Sequence, residues 1–110
     1  MTPKPRIRID KRTVAKGDVV DVQTLVSHLM ETGERKDGSG VPVPRRILNK
    51  FSCEADGREI FSADLTPAIA ANPYIRFKFK PQNLGPLRLR FTWVDDDGSR
   101  IVAEEQIIVT

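Results

Sequence analysis

The chain has 110 residues, 39% apolar and 30% charged, with a formal net charge of +3. That length supports one hydrophobic core, so residues 1–110 are expected to form a single domain. Acidic and basic residues are interspersed without interleaved aromatics, which argues against nucleic acid; no window reaches the roughly eighteen apolar residues of a membrane span, and MTPKPRIRID lacks the apolar core of a secretory signal.

Period-two alternation dominates the sequence and helical period is almost absent. Arg6 to Asp10 reads as a first strand with Ile7 and Ile9 on one face, and Lys16, Gly17 and Asp18 turn the chain into Val19 to Val26. A third strand covers Ile47 to Ala55, with Ile47, Asn49, Phe51 and Cys53 on one side and Leu48, Lys50, Ser52 and Glu54 on the other. Ala55, Asp56 and Gly57 predict a tight hairpin of the Asp-Gly kind into Glu59 to Ala63. Asp64 to Ala71 is expected to make a single helical turn crossing between sheets. Tyr74 to Lys80 follows as strand five, with Ile75, Phe77 and Phe79 inward. Strand six alternates Leu87, Leu89, Phe91 and Trp93 inward with Arg88, Arg90 and Thr92 outward, and Arg100 to Val109 closes the chain after a turn at Asp95 to Gly98. About seven short strands at this spacing predict an all-β, immunoglobulin-like (fibronectin-type) antiparallel sandwich.

Charge selects among topologies. A hairpin of strands five and six would set Arg76 and Lys78 beside Arg88 and Arg90, and like charges directly opposite one another are destabilising. Strand five is therefore expected beside strand two, where Asp21 can answer the lysines, and strand six beside strand seven, where Glu104 can answer the arginines.

The longest connection is Ser27 to Arg46, SHLMETGERKDGSGVPVPRR. Connections of that length in a compact domain are usually functional or disordered. Gly33 to Gly40 has the composition of a mobile tip, whereas Ser27 to Thr32 presents His28, Met30 and Glu31 as a docking surface. The basic stretch Lys4 to Lys16 reads as a solvated edge strand, and an open edge is also a place where a partner's strand can add.

Candidate chemistry is sparse. Cys53 is the only cysteine, so no internal disulfide exists, and beside Phe51 it is expected to be buried and inert. His28 is the only histidine, which rules out a histidine-based metal cluster; Ser27 beside it points to the opposite side of an extended chain and cannot form a nucleophile and base pair with it. A copper site from His28, Met30 and Cys53 is the best metal alternative, because imidazole and soft sulfur suit copper, but it requires a core-facing thiol to reach a loop. Asp95, Asp96 and Asp97 before Gly98 fit a hairpin tip better than a calcium loop, whose carboxylates alternate. Thr66, Pro67 and Asn72-Pro73 read as loop punctuation, and Tyr74 can present its ring to a partner.

SHLMETGERKD, the PRRILNKFSC run from Pro44 to Cys53, FSADL at 61 to 65, ANPY at 71 to 74 and FTWVDDDGS at 91 to 99 together resemble the SoxZ family, in order over nearly the whole chain. One departure is Leu29, which follows His28 where family members often have proline. SoxZ is the smaller subunit of the SoxYZ sulfur carrier of thiosulfate oxidation. The resemblance implies a non-catalytic, cofactor-free subunit in a heterodimer with a SoxY-like protein, whose glycine-flanked C-terminal cysteine arm carries the sulfur. It implies transient contact with the Sox cytochrome, thiohydrolase and sulfane dehydrogenase, and export to the periplasm with the partner, although the residues alone would suggest the cytoplasm. His28, Met30, Glu31, Thr32, Arg35, Lys36 and Tyr74 are the inferred partner-binding residues, with Arg35 and Lys36 able to attract an anionic sulfonate on the arm. The competing expectation is a stand-alone periplasmic sandwich binding copper or a small anion.

Overall fold

A computed structural model of the chain describes residues 4–110, and all its regular elements are strands. In chain order these are β1 (Arg6–Ile9), β2 (Thr13–Val14), β3 (Val20–Leu25), β4 (Leu48–Ala55), β5 (Arg58–Asp64), β6 (Tyr74–Phe79), β7 (Gly85–Asp95) and β8 (Arg100–Val109). They form a three-stranded sheet, β1-β3-β6, packed on a five-stranded sheet, β2-β8-β7-β4-β5. This is the expected immunoglobulin-like sandwich, with one strand more than the alternation predicts. The additional strand arises because the N-terminal segment changes sheets: β1 pairs antiparallel with β3, and two residues of β2 then pair parallel with β8. That parallel pair is too short to leave a hydrophobic period in the sequence.

The strand faces follow from alternation. Leu89, Phe91 and Trp93 of β7 are fully buried between the sheets, while Arg88 and Arg90 stand outside. Phe51 on β4 is the hub of the core, with the ring of Trp93 at 5.0 Å and those of Phe61, Phe77 and Phe91 within 6.4 Å. Truncating such a residue typically costs about 3–5 kcal/mol. Phe61 of one sheet stacks on Phe77 of the other, 4.6 Å apart and nearly parallel, where strands β5 and β6 face each other.

Alternation fails at the start of β4. Leu48, expected outside, is as fully buried as Ile47, because the pairing with β7 shifts register between Leu48 and Lys50. A bulge of this kind lets two consecutive residues face the core. The Asp56-Gly57 hairpin forms as predicted, with φ of 49° and 84°, the pair of positive values that a type I′ turn needs. The Asp64 to Ala71 segment crosses between the sheets without a helix: its one turn closes through the Ile69 amide on the Thr66 carbonyl at 3.0 Å.

Topology follows the charge argument, although the individual ion pairs differ from those expected. β6 lies against β3 with Asp21 opposite Lys78, yet the Asp21 carboxylate pairs with Arg76 instead, whose Nε donates at 2.9 and 3.1 Å. The planar guanidinium matches a carboxylate in a fork that an ammonium cannot. Glu104 stands opposite Arg90, and the ion pair found on β8 belongs to Glu105 and Arg12, at 2.9 Å.

Candidate partner-binding surface

The 27–46 connection is not an open loop. Bridges at Glu31–Arg46 and Lys36–Pro42, with the Val43 amide donating to the Arg35 carbonyl at 2.7 Å, fold residues 31–46 into a narrow two-stranded ribbon. Its tip is hydrogen-bonded: Asp37 Oδ1 accepts from the Ser39 and Val41 amides at 2.8 and 3.0 Å. The molecule measures 59 × 22 × 19 Å and has a radius of gyration of 16.3 Å, where a compact chain of this size has about 13 Å. The longest strand, of 11 residues, is about 35 Å long at ~3.3 Å per residue, so the molecule is longer than any one of its strands.

A polar latch ties the base of the ribbon to the β7–β8 turn. The His28 ring is largely buried, and its two nitrogens are both engaged. Nδ1 accepts from the Met30 amide at 2.9 Å, so Nε2 carries the proton and donates to Asp95 Oδ2 at 2.8 Å. Asp95, itself buried, also accepts from Arg46 Nε at 3.2 Å, while Arg46 donates to Asp97 at 2.8 Å and Arg45 donates to Asp96 at 3.0 Å. Asp96 further accepts from the Asn49 side chain and the Ile47 amide, and these contacts, with Asn49 foremost, hold its carboxyl below the usual range. The turn has the form expected of a hairpin tip, with the Gly98 amide on the Asp95 carbonyl and Gly98 at φ 86°.

Met30 sits at φ 54° with its side chain in the core and accepts the Leu48 amide on its sulfur at 3.3 Å. A methionine in the left-handed region is strained, and the buried thioether and the His28 bond hold it there. Asn72, at φ 54°, clasps the same segment: its amide donates to the His28 carbonyl at 2.7 Å and its Oδ1 accepts from the His28 amide at 2.9 Å.

The seven residues expected to meet a partner therefore separate into two groups. His28 and Met30 make their directional contacts inside the molecule, contrary to the reading of Ser27 to Thr32 as a docking surface. Glu31, Thr32, Arg35 and Lys36 lie on the ribbon, and Tyr74, 56% exposed, stands on β6 in a cross-strand row with Leu25 and Arg6. Arg35 is bound to Glu31 through a fork with contacts of 2.7 and 3.1 Å, which lowers the Glu31 pKa, and with Arg45 and Arg46 held by the β7–β8 turn Lys36 is the ribbon cation in no ion pair among the described residues. Sequence reading missed Asp95, Asp96, Arg45, Arg46 and Asn72 as a unit. The available signal was one acidic triplet and one basic pair, DDD and RR, each beside a strand end.

Cys53 is fully buried, and its thiol is pushed up to about 12, chiefly by burial and secondarily by the Glu54 charge. Of the three donors of the copper alternative, His28 has both ring nitrogens bonded and the Met30 sulfur accepts an amide, while the Cys53 thiol is buried with its ionisation suppressed.

The sequence profile described as "Sulphur oxidation protein SoxZ" matches residues 7–106. The chain belongs to the SoxZ family. The match spans both sheets, the ribbon and the latch, so this SoxZ-family chain is a sulfur oxidation protein by family. No protein of curated function matches its sequence. Among solved structures, it is similar to a superoxide reductase (neelaredoxin) from Ignicoccus hospitalis, at 13% identity and a TM-score of 0.69 over 97% of this chain and 80% of that one. It is also similar to a CARDB domain from Pyrococcus furiosus solved in complex with di-metal ions, at 18% identity and a TM-score of 0.58 over 98% of this chain and 94% of that one. At these identities the likeness establishes the sandwich fold and nothing of the chemistry.

Proposed function

We propose that this SoxZ-family chain is the non-catalytic subunit of a sulfur carrier, binding a SoxY-like partner whose C-terminal cysteine arm holds covalently bound sulfur intermediates during thiosulfate oxidation. The observation that carries the reading is the state of Cys53. A sulfur-carrying thiol must ionise and reach solvent to attack or be attacked, and the one thiol of this chain is sealed between the sheets with its ionisation suppressed. A family that acts on sulfur but offers no usable thiol here needs that thiol from a second chain.

The work of this subunit is then to stabilise and orient. The ribbon, fixed at its base by the latch, presents Glu31, Thr32, Arg35 and Lys36 to the partner's arm or the Sox enzymes that dock on it. Lys36 supplies a positive charge for a sulfonate-terminated arm, whereas Arg35 is neutralised by Glu31. The complex works in the periplasm, exported with its partner, and the chain needs no cofactor of its own.

The test is co-purification through a tag on this chain from its native host, followed by intact mass spectrometry under non-reducing conditions. A one-to-one complex with a protein ending in a Gly-Cys-Gly arm, heavier by sulfur-containing adducts, is expected. Recovery of the lone chain, or of the chain with stoichiometric copper, sinks the reading.

A further inference from the structure

The sandwich has four edge strands, and three of them are poor templates for an added strand. β1 has four residues directly after Pro5, β2 has two, and β5 carries the extra residue of a bulge where its register against β4 shifts. The ribbon protects itself in another way: Pro42 and Pro44 remove N–H donors on either side of Val43, which donates inward. β6 likewise begins directly after a proline, Pro73, and carries Arg76 and Lys78, but it is longer than β1 and has no bulge. Its six residues pair with β3 in unbroken register, contain no proline, and turn the N–H and C=O of alternate residues to the open side.

The surroundings of that edge are apolar beneath and cationic above. Ile75 and Phe79 of β6, with Ile60 and Phe61 of β5, are only partly buried, because the sandwich is open where these strands face each other. At one end a groove of about 420 Å³ opens between Ile60, Phe79 and Leu87, with Arg58, Glu59 and Lys80 at its rim. On the outer face Arg76 is held by Asp21, while exposed Lys78 and Lys80 form no ion pair among the described residues.

We propose that the β6 edge, Tyr74–Phe79, is where an extended segment of the SoxY-like partner adds as a fourth strand of the β1-β3-β6 sheet; this rests on the carrier reading above. Such a strand alternates apolar residues, which cover Phe61 and Ile60, with acidic residues facing Lys78 and Lys80. A second copy of this chain is disfavoured as occupant, because antiparallel pairing of two β6 edges brings two rows of Arg76, Lys78 and Lys80 together.

The experiment is hydrogen exchange on the wild-type complex and on the free chain, alongside partner affinity for the Lys78→Gln, Lys80→Gln double variant and for an Arg100→Gln control on the opposite sheet. The amides of Tyr74–Phe79 that point to the open side of β6 are expected to exchange at least about tenfold more slowly in the complex, with those of β1 and β5 unchanged. The double variant is expected to bind about fivefold more weakly and the control equally well. If the complex forms but protection falls on another edge or face, the edge assignment is overturned while the carrier reading stands. A free chain that dimerises through protected β6 amides overturns it in favour of self-pairing. If the wild-type chain captures no partner, the carrier reading fails and the edge assignment falls with it.

Discussion

Asp95→Ala isolates the contribution of the latch. Its carboxylate is the acceptor for His28 Nε2 at 2.8 Å, and the His28 side chain is only 12% exposed, so the N–H that loses its partner has little water to replace it. An orphaned buried donor costs about 1–3 kcal/mol. The Arg46 contact adds little, since that side chain is 58% exposed and keeps Asp97, and removing a desolvated carboxylate returns part of the loss. The net cost is about 2 kcal/mol. At roughly 2.1 cal/mol/K per residue, unfolding this chain has an entropy near 230 cal/mol/K, so the midpoint should fall by about 9 °C. Thermal unfolding followed by near-ultraviolet circular dichroism at pH 7 reads this directly, with Asp97→Ala at the exposed rim as the comparison. His28→Ala in the Asp95→Ala background should add much less than it does alone, because the pair acts as one unit. A drop no larger than that of Asp97→Ala, or strict additivity in the cycle, would refute the latch.

Three further outcomes follow from the same structure. The Cys53 thiol should resist a soluble disulfide reagent at pH 8 until the chain is unfolded; with its pKa raised to about 12, burial of the neutral thiol stabilises the fold below the unfolded thiol value and that contribution is lost as pH rises towards 12. On the acid side Asp21, Asp96 and Asp97 have pKa values lowered from 3.8, and Glu31 from 4.5, by Arg76, Asn49, Ser99 and Arg35 respectively, so their contribution is present above those ordinary values and lost as pH falls below them; midpoints measured across that range should decline, less steeply in high salt. Gly57→Ala should lower stability by about 1 kcal/mol through its φ of 84°, since a Cβ there meets no neighbour, and partner capture at low temperature should be unaffected.

Strand identities and most of their facings were legible because each alternation reports a local steric fact: residues two apart share a face whatever lies beyond them. Leu87 to Trp93 needed nothing else. Opposed charges carried the topology one step further, placing β6 beside β3 and β7 beside β8, since a like-charged hairpin was the alternative. Leu48 was misread because a bulge is created by the pairing of two distant strands and leaves no mark on one strand's pattern. The parallel β2–β8 pair was missed for the same reason.

Family membership and the burial of Cys53 were determined by the sequence itself, the first by ordered motifs along the chain and the second by one thiol among core-facing neighbours. The role of His28 was decided only by tertiary structure. Its partners, Asp95 and the Met30 amide, stand 67 and 2 residues away, and only the folded turn brings that carboxylate within 2.8 Å of the ring. The exposed edge is likewise a property of the assembled sheets, because a strand becomes an edge only by what fails to pair with it.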